Sequence, residues 1–189
     1  MINLFVRLID KIYTIIIKRK LKYCGKNVKI KFPVTITNPH KISIEDNVYI
    51  GEHVWLNAGV VDPLMNNTKD YDKLTLSIKN GSYISRFTHI NAFNSVNIME
   101  NVLIGENVYI GDADHSYRDK SKPIIKQKIE IKKKVIIDTG SHICKNAIIN
   151  SGISVGKNSI VGPNVFLTTN LPDYSIAFSN MATIISQNE

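Results

Sequence analysis

An aliphatic residue returns at every sixth position over long stretches of this chain, and few folds can use such a spacing. Counted from Ile131, the steps fall on Ile137, Ile143, Ile149, Val155, Val161 and Leu167. The same step joins Ile98, Ile104 and Ile110, then Ile78, Ile84 and Ile90, and also Ile44, Ile50 and Leu56. At this aliphatic content chance would produce the longest run on the order of once in 10⁴ registers. Four residues after many of these positions comes a second small or apolar side chain: Val48, Val54, Val102, Val108, Val135, Ala147, Ile153 and Val165. Turn formers fill the gaps, as in "IGENVY" and "VGKNSI". Strands repeat every two residues and helices every 3.6. A step of six suits a short strand, a tight turn and another short strand at a fixed angle. Three such units close a triangular coil of about 18 residues, and stacked coils pair each strand with those above and below. The spacing therefore predicts an all-β parallel β-helix, with aliphatic side chains filling the prism and turn residues in water. A β-sandwich does not keep one step over so many units.

The ends depart from the rhythm. "MINLFVRLIDKIYTIIIKRK" predicts a helix over residues 2–21, with Leu4, Phe5, Leu8, Ile12, Ile15 and Ile16 on one side and Arg7, Lys11, Lys18 and Arg19 elsewhere. Such a helix has two uses. It caps the open end of the prism or packs subunits together, or it lies on an anionic membrane with "KRKLK" (residues 18–22) at the headgroups. No apolar run approaches the ~20 residues of a membrane span, and no small-residue cleavage site marks a signal peptide. The expected division is a basic amphipathic helix over residues 1–22, a β-helix domain over 23–185 and a tail over 186–189. The net charge of +8 is spread along the chain apart from "KRKLK" and "KKK" at 132–134. No nucleic-acid-binding motif accompanies it, so no nucleic-acid partner is expected. Two cysteines, Cys24 and Cys144, lie far apart in sequence, which suits a reducing compartment such as the cytoplasm.

Two internal stretches also break the rhythm and are expected as loops: residues 61–74, with Asp62-Pro63 and Asn66-Asn67 as turn signals, and residues 111–130. Loops on a rigid scaffold are where function tends to sit. The second begins "YIGDADHSYRDKSKPI" and carries His115, five residues after the register residue Ile110. Histidine titrates near neutrality and is suited to take a proton from a hydroxyl; a surface histidine on a loop is the plain alternative. His40, His53, His89 and His142 raise the question of a metal site. A zinc site needs ligands converging from neighbouring coils. His53 stands three and His89 five residues after their register positions, so they should point differently, and no metal is expected.

The segments "ISIEDNVYIG", "VLIGENVYIG" and "IINSGISVGKNSIVGPN", the "DH" and "KPI" about the loop, and the closing "LPDYSIAFSNMATII" resemble the left-handed β-helix acyltransferases of the hexapeptide-repeat family. The order of segments is similar to the branch holding maltose and galactoside acetyltransferases and surface-polysaccharide O-acetyltransferases. The resemblance spans about residues 23 to 185. It implies a homotrimer with its active site between subunits, acetyl-CoA as co-substrate, and transfer of an acetyl group to a sugar hydroxyl in bacterial surface polysaccharide or its precursor. His115 would be the general base, with Asp112, Asp114 or a backbone carbonyl orienting its ring. N-acylation of a nucleotide-linked amino sugar and a non-catalytic scaffold are the alternatives.

The resemblance also brings residues to the acceptor and donor sites. Ser85 matches an asparagine position near the reacting centre, and Asn91 lies one strand on. His142 stands where the family carries a tryptophan; a solvated turn histidine is its plainer reading. At the CoA end the family's "IG" is Ile143-Cys144, followed by Lys145, and "GAG" is Gly162-Pro163-Asn164. Pro163 has no N–H to offer a pantetheine arm. Thr168 opens "TTN" where the family has "TKD", and "MAT" stands for its closing "PAK", so two lysines expected near the CoA phosphates are Thr169 and Thr183. Lys145 and Lys157 are the candidates to supply that charge.

Overall fold

The computed structural model describes residues 2–59 and 73–179, with side chains from Phe5 onward. Most of the loop expected at 61–74, Thr183 and the tail at 186–189 lie outside the described residues.

The chain winds as a left-handed parallel β-helix with three flat faces. The first face stacks Tyr23–Cys24, Ile42–Ile44, Leu76–Ile78, Val96–Ile98, Val135–Ile137 and Ser154–Val155. The second stacks Lys29–Ile30, Tyr49–Ile50, Tyr83–Ile84, Leu103–Ile104, His142–Ile143, Ile160–Val161 and Ile176–Ala177. The third stacks Thr35–Thr37, Trp55–Ala58, His89–Ala92, Tyr109–Gly111, Ile148–Ile149 and Phe166–Leu167. Pairing within the faces is parallel and in register, so Ile50, Ile84, Ile104, Ile143 and Val161 form one inward column. Apart from Ile131, the register residues from Ile44 to Val161 are fully buried, and Leu167 nearly so.

The corners explain the turn formers. Asn47, Asn101, Asn107, Asn146, Asn158 and Asn164 hold left-handed backbone conformations, which asparagine tolerates better than most residues. Their amides also bond from coil to coil: Asn107 to Asn146 at 3.0 Å and Asn146 to Asn164 at 3.0 Å. Buried hydroxyls satisfy corner carbonyls, as Thr88 does with Gly105 (2.9 Å) and Ser141 with Gly156 (2.7 Å). Gly105 is small for a steric reason, since a Cβ there would lie 2.8 Å from the Lys145 nitrogen of the next coil.

Two expectations are corrected in detail. Ile131 continues the six-step in sequence but not in space. It lies in a two-stranded antiparallel ribbon outside the prism and is 50% exposed. The prism resumes at Val135–Ile137, which pairs with Val96–Ile98.

Helix α1 (Ile2–Lys18) stops short of the expected residue 21. It caps the first coil through its polar side. Thr14 bonds through its hydroxyl to both the carbonyl (3.0 Å) and the N–H (3.1 Å) of Ile30. Tyr13 donates to the Val34 carbonyl, while Asp10 accepts from the Phe32 N–H at 3.0 Å and pairs with Lys31. Among the described residues of this segment, Ile17, and Leu21 just beyond the helix, join the core as buried apolar side chains. The end of a β-helix presents unpaired backbone groups, and these select hydrogen-bonding side chains.

Candidate active site

After Tyr109–Gly111 on the third face the chain leaves the prism. Ala113–His115 runs out and Ile129–Ile131 returns antiparallel, with His115 opposite Ile129 where the ribbon opens. His115 is exposed. The intervening loop is held by Gln127, whose side-chain amide donates to the carbonyls of Asp119 (2.8 Å) and Lys122 (3.0 Å) and accepts from the Asp119 N–H (3.0 Å). Asp119 is pulled down to about 2 by its bonds to Ser121 and Lys122. The expected break at 111–130 is thus a folded arm that carries His115 away from the coil.

Neither candidate aspartate is directed at the imidazole. Asp112 is fully buried, and its carboxylate accepts the backbone N–H groups of Phe93 (2.7 Å), Asn94 (2.9 Å) and Ser95 (2.6 Å). Burial raises its pKa, against the lowering effect of those bonds. Its role is to fix the corner from which the arm departs. Asp114 pairs with Lys132 across the ribbon at 2.8 Å. Of the three sources expected to orient the ring, the two carboxylates are engaged elsewhere.

The remaining candidates fall into separate columns. Asn91 lies at the outer edge of the third face beside Gly111, accepting from Asn57 (3.2 Å) and donating to the Tyr109 hydroxyl (3.1 Å). Thr168, just after Phe166–Leu167, ends the same face three strands further along. His115, Asp112, Asp114, Asn91 and Thr168 therefore share the corner between the third and first faces. Ser85, Cys144, Lys145, Gly162 and Pro163 occupy the corner between the second and third. Ser85 lines a polar depression of about 200 Å³ with Tyr49, Tyr83, Arg86 and Glu106. His142 points out from the second face between Leu103 and Ile160, its Nδ1 3.9 Å from the Cys144 sulfur. Burial pushes the Cys144 thiol up, which disfavours a thiolate. Lys157 stands at the remaining corner, beside Asp173 of the next coil.

Sequence reasoning missed two arrangements. Glu106 bridges Arg86 (2.9 Å) and Lys145 (3.4 Å) across three coils. The Arg86 guanidinium, with lesser help from Lys145, holds the Glu106 carboxyl below its usual range. The Lys145 charge is thus shared before any ligand arrives. On the third face the His89 ring stacks on Trp55 at 4.4 Å and meets the Tyr109 ring edge-on at 5.6 Å. Desolvation lowers the His89 pKa, and its Nε2 is buried without a partner. The pattern x-Ile or x-Leu shared by Trp55, His89 and Tyr109 was the available signal, since equal phase in successive coils means vertical neighbours. Among the described residues no group of three His, Cys, Asp or Glu side chains is arranged to hold a metal ion.

Residues 134–169 match the family model described as the hexapeptide repeat of succinyl-transferase. A search of curated proteins found no match. Solved structures share the fold. A hexapeptide-repeat acetyltransferase from Vibrio cholerae O1 biovar eltor, complexed with acetyl coenzyme A, is 16% identical over 86% of this chain and 69% of its own, with a TM-score of 0.58. A mutant of AntD, an N-acyltransferase from Bacillus cereus complexed with dTDP and coenzyme A, is 21% identical over 86% of this chain and 81% of its own, with a TM-score of 0.70. AntD with dTDP and 3-hydroxybutyryl-CoA gives 19% identity over 87% and 81%, and a TM-score of 0.58. The chain is thus a hexapeptide-repeat β-helix, built as these acyltransferases are.

Proposed function

We propose that the protein is an acyltransferase that moves the acetyl group of acetyl-CoA to a hydroxyl of a sugar acceptor, in bacterial surface polysaccharide or its precursor. The observation that carries this reading is the exposed His115 at the mouth of the one ribbon that leaves the described prism. An imidazole nitrogen takes the acceptor proton as the oxygen attacks the thioester carbonyl carbon. The C–S bond then breaks, the CoA sulfur receives the proton from the imidazolium, and the products are an ester and free CoA. Acetyl-CoA as donor goes with a cytoplasmic protein.

The working site is shared between subunits of a homotrimer in this reading. His115 and Asn91 lie on one side of the prism, whereas Ser85, His142 and Cys144 lie on another. In a single chain the width of the third face separates them, but two chains side by side can bring them together. The outward columns of the second and third faces are mostly apolar, with Tyr83, Leu103 and Ile160 beside His142 on one and Trp55, Ile148 and Phe166 beside His89 on the other. The first face is more polar, with Ser43, Ser77, Asn97 and Ser154 beside Tyr23 and Ile136. Two apolar faces meeting at one edge suit a three-fold arrangement.

A second reading is N-acylation of a nucleotide-linked amino sugar, favoured by the AntD structure whose TM-score to this chain is 0.70. Purified protein incubated with acetyl-CoA and a panel of hydroxyl and amino sugars, free and nucleotide-linked, tests both. Thiol release with a hydroxyl acceptor and loss of it in His115→Ala supports O-acetylation. Turnover with amino acceptors alone moves the assignment to the N-acyl reading. No acetyl-CoA binding by thermal shift leaves a scaffold.

A further inference from the structure

Helix α1 is seated the opposite way from an ordinary amphipathic cap. Its inward side is formed by Asp10, Tyr13, Thr14 and Ile17, which hold the first coil. The outward side is a ridge of Phe5, Leu8, Ile12, Ile15 and Ile16, each between 48% and 66% exposed. These residues follow the helical spacing that keeps one side continuous. Along the flank of the ridge stand exposed Arg7 and Lys11 and half-buried Lys18, whose amine lies 3.4 Å from the Gly25 carbonyl, and exposed Arg19 and Lys20 follow at the helix end. The only carboxylate on the helix is Asp10, which is turned inward onto Lys31. Beside the helix a groove of about 1470 Å³ is lined by Phe5, Leu8, Lys11, Ile15, Lys18 and Tyr49. Its walls are mostly apolar, and its charged lining is cationic apart from Asp10, which is paired with Lys31.

We propose that α1 docks this protein on the surface of an anionic phospholipid bilayer, with the Phe5–Leu8–Ile12–Ile15 ridge in the acyl boundary and Arg7 and Lys11 at the headgroup phosphates. The occupant must be apolar at its centre and negative at its edge, because the helix supplies the complementary pattern and no outward carboxylate of its own. A second copy of this chain packed ridge to ridge would bring the same cations to its border. A bilayer containing anionic lipid supplies both parts. The helix lies on the surface and does not cross it, since no described helix is long and apolar enough to span a membrane. This docking is independent of the acyl-transfer reading.

Co-sedimentation of the full chain with vesicles tests it. Wild-type protein should pellet with phosphatidylglycerol-containing vesicles and much less with pure phosphatidylcholine, and added salt should release it. Leu8→Glu with Ile15→Glu should weaken binding about tenfold or more. Arg7→Gln with Lys11→Gln should weaken it roughly 25-fold, about fivefold per cation. These side chains are exposed, so circular dichroism should report an unchanged fold; the charge pair remains a test should the glutamates disturb it. Wild-type protein left in the supernatant with phosphatidylglycerol vesicles overturns the proposal. So does a Leu8→Glu/Ile15→Glu protein that binds vesicles as well as wild type but is a smaller oligomer in solution, which would make the ridge a subunit contact.

Discussion

Two histidines, one on the third face and one on the arm that leaves it, differ in what surrounds them. His115 is in water at the ribbon mouth, and His89 is wedged between Trp55 and Tyr109. Replacing His115 with alanine should lower kcat by roughly 10²–10⁴, the usual worth of a general base. An exposed side chain of this kind should move stability by less than about 0.5 kcal/mol. Steady-state kinetics and thermal melts on one preparation check both statements, and near wild-type turnover would remove His115 as the base. His89 predicts a pH effect on folding. Burial holds its folded pKa below the ordinary 6.5. The unfolded chain then takes up a proton first on acidification, so stability present above about pH 6.5 is lost as pH falls toward the folded value. In His89→Phe, which keeps the stacking but cannot titrate, the melting temperature should fall less between pH 7 and pH 5 than in wild type. Equal slopes would show that the stack does not exclude the charged ring. His115 was legible because a polar cluster interrupts a regular repeat. The duty of Asp112 was not, because the Phe93–Ser95 amides it binds lie in the previous coil.

At the scale of elements, the six-step names the core but does not say where the strand leaves it. Ile137 is fully buried and Ile131 is half exposed, although they occupy consecutive steps. Ile137→Ala should cost about 2–5 kcal/mol, as core truncations do. Ile131→Ala should cost less than about 1 kcal/mol. Urea melts of the two variants separate these values, and equal costs would return Ile131 to the prism. The arm itself hangs on Gln127. Gln127→Ala leaves the Asp119 N–H and the Asp119 and Lys122 carbonyls without their partner. Limited proteolysis should then cut within 116–128 several times faster while the prism stays intact, and KM for the acceptor should rise more than kcat falls. Unchanged cleavage would assign the order of the arm to the Ile129–Ile131 pairing instead. The spacing of the chain exposed the arm as a break. Its hydrogen bonds came from local chemistry that no periodicity encodes.

For the whole molecule, the division of candidate residues between two sides leads to a sharp expectation. Light scattering should give about three times the 21.3 kDa chain mass. His115→Ala and Ser85→Ala/His142→Ala proteins, each impaired alone, should recover up to roughly a quarter of wild-type activity after they are unfolded together and reassembled, because some interfaces then combine one intact side from each. No recovery in mixed trimers would confine the site to one chain. The sequence by itself determined the prism, its three faces and its inward columns. Burial at every sixth residue is a short-range pattern, and turn asparagines repeat with it. Helix α1 was legible as amphipathic, but not which side faces in, because that depended on the unpaired backbone groups of Ile30, Phe32 and Val34 that it meets. Only the tertiary structure decided that Asp112 and Asp114 serve the corner and the ribbon, that Lys145 shares Glu106 with Arg86, and that His115 and His142 stand on different sides. In a β-helix, neighbours in space come from adjacent coils, and the loops between them shift the count by lengths that the six-step does not carry.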